Sequence, residues 1–281
     1  MNFSCRIVAG ALCAGMASVT LADSLVSATL ASVKLTLVDL DPSDTITPWI
    51  TFQNNTAPFS GRALVWVNHD LVDGSYIEAT TAFSPFNWQA SSDGVFASAS
   101  FAVDATGTGG TLVAESRAIF GESYKDASAL ALAVWHQFTI SDKTLLFVTA
   151  TSVASAEVTH AWSSNLLERE TARASNRIHL WGPAAGGAGS GTQDSDALHV
   201  KLAESPILWD PGAELYYFSP ASYSGTQTLS ASFVNLSGSD LSGTLAIYSG
   251  ATSSTPVPEP HSVWLLLAGF SAGAALRHRR Q

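Results

Sequence analysis

Three observations predict an all-β chain, folded as an antiparallel β-sandwich of jelly-roll-like or immunoglobulin-like kind. Apolar and polar residues alternate with period two through many short runs between residues 23 and 254. Turn-forming clusters separate those runs. The composition is 46% hydrophobic but only 13% charged, which suits an extracellular β-protein better than a cytosolic enzyme built of charged helices.

The alternation is clearest in VFASASFAV, where Val95, Ala97, Ala99, Phe101 and Val103 share one face, and in TLSASFV, where Leu229, Ala231 and Phe233 do. In chain order the same reading places strands at SVKLTLV, PWITF, ALVWV, TLVAES, ALALAVW, TLLFVTATS, ALHVKLA and GTLAIYS. Between them, DATGTGG, TISDKT and NLSGSDLSG supply turn chemistry. One helix is expected at SSNLLERETARAS, residues 163–175. The run GPAAGGAGSGTQDSD, Gly182 to Asp196, lacks the Gly-Lys-Ser/Thr of a phosphate-binding loop and reads as a flexible loop.

Both ends carry a different signature. Residues 1–22 place Arg6 ahead of an apolar stretch from Ile7 to Val19 and small residues at Thr20 and Ala22, the order of a secretory signal peptide cut after Ala22. Cys5 and Cys13, the chain's 2 cysteines, both fall in this segment, so the secreted body is expected to hold together without disulfides or thiolate ligands. The body is expected at 23–250, a linker at 251–260 and an apolar segment with a basic end at 261–281.

From Ser262 to Leu276 run 15 residues without charge. As a helix they span about 22 Å, short of the roughly 30 Å hydrocarbon layer, and so make a marginal anchor. Arg277, His278, Arg279 and Arg280 follow and would keep that end cytoplasmic, leaving the body on the far side. Ahead of the segment, Pro256, Pro258 and Pro260 forbid regular helix or sheet, so Val257-Pro258-Glu259-Pro260 should be extended and open to a processing enzyme.

This ordered tail resembles the PEP-CTERM sorting signal of Gram-negative bacteria, also described as an ice-binding protein C-terminal domain. The residues that carry the resemblance are Val257, Pro258, Glu259 and Pro260, the Leu265–Leu267 run, Gly269 and the Arg277–Arg280 cluster. It implies delivery by the general secretion machinery, recognition by an exosortase in the inner membrane, removal of the tail, and export to the cell surface or exopolysaccharide matrix. KLTLVDLDPSDTITPWITF, residues 34–52, is similar to the strand-turn-strand opening of other PEP-CTERM proteins of unassigned function.

Removing Arg6, Arg277, Arg279, Arg280 and Glu259 from the chain's 13 basic and 23 acidic residues leaves a net charge of −13 on residues 23–258. Such a surface argues against nucleic acid or anionic lipid as a partner. Arg169, Arg173 and Arg177 are offset by Glu168 and Glu170 and read as a solvated face. Asp39, Asp41 and Asp44 are candidate oxygen ligands for Ca²⁺. The EF-hand pattern fails, however, since Asp44 stands at the glycine position and Ile50 where the bidentate glutamate belongs, and an Asp-rich turn is the preferred reading. The body is therefore expected to need no cofactor.

No Gly-x-Ser-x-Gly elbow and no His-x-x-x-His helix is present, so no catalytic residue is assigned. His160 with Trp162 and His179 with Trp181 stand two apart. On strands each pair shares a face and could form an aromatic platform with a polar handle, the requirement of a sugar site. The functional expectation is an exported, non-catalytic structural or adhesive component of the exopolysaccharide layer. A secreted carbohydrate-binding or carbohydrate-active module is the alternative, and ice binding comes third for want of an evident flat, repeated threonine face.

Overall fold

The computed structural model describes residues 23–53, 61–77, 83–105, 109–119, 123–159, 170–183, 192–204, 207–210 and 215–255. The expected signal peptide at 1–22, the expected sorting segment, His160 and Trp162 lie outside these residues.

Strand follows strand along the chain: β1 (Asp23–Asp39), β2 (Ile50–Phe52), β3 (Gly61–Val67), β4 (Asp70–Ile77), β5 (Phe86–Ser92), β6 (Val95–Val103), β7 (Gly110–Ile119) and β8 (Lys125–Ile140). Then come β9 (Thr144–Val158), β10 (Thr171–Pro183), β11 (Thr192–Glu204), β12 (Ile207–Asp210), β13 (Leu215–Phe218), β14 (Ala221–Asn235) and β15 (Leu241–Thr255). No helix occurs among the described residues, and every strand pair is antiparallel.

One sheet, A, has the order β14-β9-β1-β7-β6-β5. The other, B, runs β11-β10-β15-β8-β3-β4, with β2 also paired to β8, and β12-β13 form a separate ribbon. Sequential hairpins account for β5-β6-β7, β10-β11 and β3-β4. The long strands β1 and β15 are instead inserted between partners distant in sequence, β1 between β7 and β9, β15 between β10 and β8.

The alternation seen in the sequence decides which side of each sheet is buried. In β6, Val95, Ala97, Ala99 and Phe101 point inward; in β14, Leu229, Ala231 and Phe233 do. These inward rows meet in one core. At one pole the core is large: Phe138 and Phe233 meet edge to face with centroids 5.1 Å apart, a contact worth about 0.5–1.5 kcal/mol beyond its area. Elsewhere it is alanine: Ala127, Ala129, Ala154, Ala156, Ala172 and Ala174. Small inward side chains let the sheets close up, and Cα atoms of β1 come within 8 Å of β10 and β15, nearer than the roughly 10 Å usual between stacked sheets.

Side chains bridge the open flanks. Asp73 Oδ2 accepts the Ser91 N–H (2.9 Å) where β4 passes β5. On the other flank the Ser232 N–H donates to Ser195 Oγ (3.0 Å) and Gln227 Nε2 to the Leu198 carbonyl (3.4 Å).

Three expectations are corrected. The helix over 163–175 does not extend to Thr171–Ser175, which begin β10, because Ala172 and Ala174 alternate inward with Arg173 outward. The glycine-rich run is not all loop, since Gly182 and Pro183 end β10 and Thr192–Asp196 begin β11. Body becomes tail later than residue 250: β15 runs to Thr255, which is fully buried.

Candidate functional site

The outward face of sheet B gathers the aromatic and charged groups. Along β10 the even positions, Ala172 to Leu180, face the core, so Arg173, Ser175, Arg177, His179 and Trp181 face out. The neighbouring β11 sets Asp194 opposite Trp181 and Asp196 opposite His179. β15 sets Thr244 opposite Trp181, Ala246 opposite His179 and Tyr248 opposite Arg177.

Cross-strand contacts run diagonally, as sheet twist favours. Arg177 grips Asp196 with two bonds, Nε to Oδ1 at 2.7 Å and Nη2 to Oδ2 at 2.8 Å. His179 Nε2 lies 2.6 Å from Asp194 Oδ1. The Arg177 hydrogen bond holds the Asp196 carboxyl below the usual carboxylate range, and Asp196, with help from Tyr248, raises Arg177 further above its already high value. Arg177 is thereby committed within the protein.

Beside this pair, the His179 and Trp181 rings lie face to face with centroids 4.5 Å apart and planes tilted by 30°. Both are half-buried, while Asp194 is 65% exposed at the rim. The arrangement is an outward aromatic pair with a carboxylate at its edge, which combines ring surface with a hydrogen-bond acceptor.

His179 and Trp181, paired from sequence spacing, are thus together and outward. Arg177, Asp194, Asp196 and Tyr248 were missed. Arg177 continues the same period-two series, but the two aspartates are hidden in the glycine-rich run.

Asp39, Asp41 and Asp44 do not converge. Asp39 Oδ1 accepts the Asp41 N–H (2.9 Å), Asp41 Oδ1 the Ser43 hydroxyl (2.6 Å), and Asp44 Oδ1 the Ile46 N–H (2.7 Å). These are successive aspartate turns. The Ser43 bonds hold the Asp41 carboxyl below its ordinary value. Among the described residues no group of three or more His, Cys, Asp or Glu is placed to hold a metal ion.

A second grouping, unforeseen in the sequence, lies inside the sandwich. Ser152 Oγ and His199 Nδ1 are 2.8 Å apart, and Asn176 Nδ2 lies 2.9 Å from the same hydroxyl. Ser152 is fully buried and His199 only 5% exposed, so this serine-histidine pair is closed to a substrate. A cleft of about 440 Å³ opens elsewhere, at the β1 irregularity around Ser32 and Val33, lined by Lys34, Asp104 and Gly110 but by no aromatic ring.

Residues 256–280 match the family model described as the PEP-CTERM protein-sorting motif. The chain carries a PEP-CTERM sorting motif. This motif implies recognition by an exosortase, export and membrane-associated sorting of the protein that carries it. It covers Val257, Pro258, Glu259, Pro260 and the Arg277–Arg280 cluster and leaves the body outside the match. No curated protein and no solved structure matches the chain.

Proposed function

We propose that this PEP-CTERM protein is a non-catalytic, adhesive component of the exopolysaccharide layer of a Gram-negative cell, and that it holds neutral glycan on the outer face of sheet B. The observation that carries the reading is the outward His179–Trp181 ring pair with Asp194 at its rim. Arg177, spent on Asp196, offers no unpaired cation to an acidic sugar. The net −13 of residues 23–258 also repels acidic polymers at long range, so the glycan class is neutral. The sorting tail supports a destination where such polymers are abundant.

The experiment is calorimetric titration of the exported protein with extracellular polysaccharide purified from the producing cells. Trp181→Ala should weaken binding about tenfold or more while leaving the melting temperature nearly unchanged, since the side chain lies outside the core. Failure of the wild-type protein to bind, or full binding by Trp181→Ala, would overturn the reading.

A further inference from the structure

Some distance along the same outward face, near the end of β15, a second set of aromatic and acidic groups is assembled by a different part of the chain. The β3–β4 connection is a two-residue turn in which Asn68 (φ 52°) and His69 (φ 70°) both take the left-handed conformation that such tight hairpins require. That turn is pinned to the strand beside it. The Asn68 N–H donates to the Tyr124 carbonyl at 2.8 Å, the Tyr124 N–H donates back to Asn68 Oδ1 at 3.2 Å, and Asn68 Nδ2 lies 3.5 Å from Ser123 Oγ.

The pinned turn stacks the exposed His69 ring on Tyr124, with centroids 4.4 Å apart and planes within 24°. Two residues on, half-buried Asp126 occupies the outward row of β8, with Trp66 of β3 opposite it on one side and Ser254 of β15 on the other. Burial raises the Asp126 carboxyl above its ordinary value, and His69 acts on it electrostatically in the opposite sense. The ingredients repeat those around Trp181: a stacked histidine-aromatic pair, a carboxylate and a tryptophan.

Resting on the glycan reading above, we propose that His69, Tyr124, Asp126 and Trp66 form a second glycan platform, so that the ligand is a neutral polysaccharide chain long enough to engage both. β15 supplies the scale. Thr244 stands opposite Trp181 and Ser254 opposite Asp126, and ten residues of strand separate them by about 33 Å, a span no mono- or disaccharide covers. Outward on β15 between the two are Ala246, Tyr248, Gly250 and Thr252, an uncharged row, with Arg177 opposite Tyr248 and Arg173 opposite Thr252 on β10, that offers a polymer a continuous bed between the two platforms. Two weak platforms on one rigid sheet make the second contact intramolecular, so affinity grows with polymer length rather than with the identity of one sugar.

The test titrates the exported protein with the purified extracellular polysaccharide, intact and hydrolysed to tetrasaccharides or shorter. The intact polymer should bind the wild type about a hundredfold tighter than the fragments. His69→Ala combined with Asp126→Asn should remove tenfold or more of the polymer affinity yet leave fragment binding at the Trp181 platform within twofold. His69→Ala alone, at an exposed turn, is the variant that keeps the fold and should show part of the same loss. Polymer affinity unchanged in both variants while Trp181→Ala abolishes it overturns the second platform and leaves the first standing. Equal affinity for polymer and fragments also overturns it. No binding of either by wild type removes the glycan reading and this inference together.

Discussion

The Ser152 hydroxyl lies 2.8 Å from His199 Nδ1, in the space between the two sheets. Asn176 joins that pair. Its Nδ2 lies within hydrogen-bond distance of three acceptors that share its two hydrogens: the Thr29 carbonyl at 3.1 Å, the Val153 carbonyl at 2.9 Å and Ser152 Oγ at 2.9 Å. Burial lowers the His199 pKa and so favours the neutral imidazole in this network. β1, β9, β10 and β11 are tied together by these few atoms, across both sheets.

Replacing Asn176 with alanine should therefore cost about 2–4 kcal/mol, because it removes the amide's bonds to Thr29, Val153 and Ser152 and leaves a gap in a dry interior. Asn176→Asp should be at least as damaging, since a carboxylate oxygen would face those carbonyls. Urea unfolding measures both. A loss below about 0.5 kcal/mol in either variant would contradict the account.

Acid should destabilise the body through its buried histidines. Burial lowers the His199 pKa, with Lys201 adding to the effect, and burial lowers that of His136. Below the ordinary histidine value of about 6.5 the unfolded chain takes up protons that the folded chain still refuses. Stability is thus complete above about pH 6.5 and falls as pH drops toward and through the lower folded-state values. Melting temperature recorded from pH 8 to pH 5 should decline over the acid half, and His199→Gln should flatten the slope. A melting temperature that rises on acidification over that range would refute this.

Chelation should leave the body unaffected. Asp39, Asp41 and Asp44 spend carboxylate oxygens on neighbouring N–H and hydroxyl groups of their own turn. Excess EDTA should shift the melting temperature by no more than a degree or two, and added Ca²⁺ should not raise it. A shift of several degrees would restore a calcium site.

The sorting motif makes a prediction in cells. Changing Pro258, Glu259 and Pro260 to alanine keeps the apolar segment and the basic end but removes the feature an exosortase reads. Full-length protein should accumulate in the inner membrane with a normally folded body. Mass measurement of the fractions decides. Should wild type and variant both reach the surface with Gln281 attached, the tail is an anchor and no more.

Legibility in the sequence followed the side chains that alternate in size and polarity. VFASASFAV coincides with β6 to the residue, because apolar Val95, Ala97, Ala99 and Phe101 alternate with a row that contains the polar Ser98 and Ser100. β10 was misread at its start because Ala172 and Ala174 are inward yet helix-favouring, and the flanking charges Glu168, Glu170, Arg169 and Arg173 imitate a helix surface. Strand order could not be read at all: nothing local in β1 says that its neighbours are β7 and β9. At the candidate site, His179 and Trp181 were visible as a spaced pair. Their acidic partners come from a strand whose beginning has the composition of a linker, and the His69–Tyr124 stack joins residues 55 apart through a turn.

Thr255, fully buried on an interior strand, gives the chain an order of events. β15 is the last of the described strands and must slot between β10 and β8, both of which precede it in the chain. Until residues 241–255 have crossed the membrane, β8 and β10 lack their shared neighbour and sheet B stays divided. Completion of sheet B is thereby a late, long-range event in folding. Without β15 the facing edges of β8 and β10 would each present unpaired backbone groups, so the strand that closes sheet B also removes two open edges.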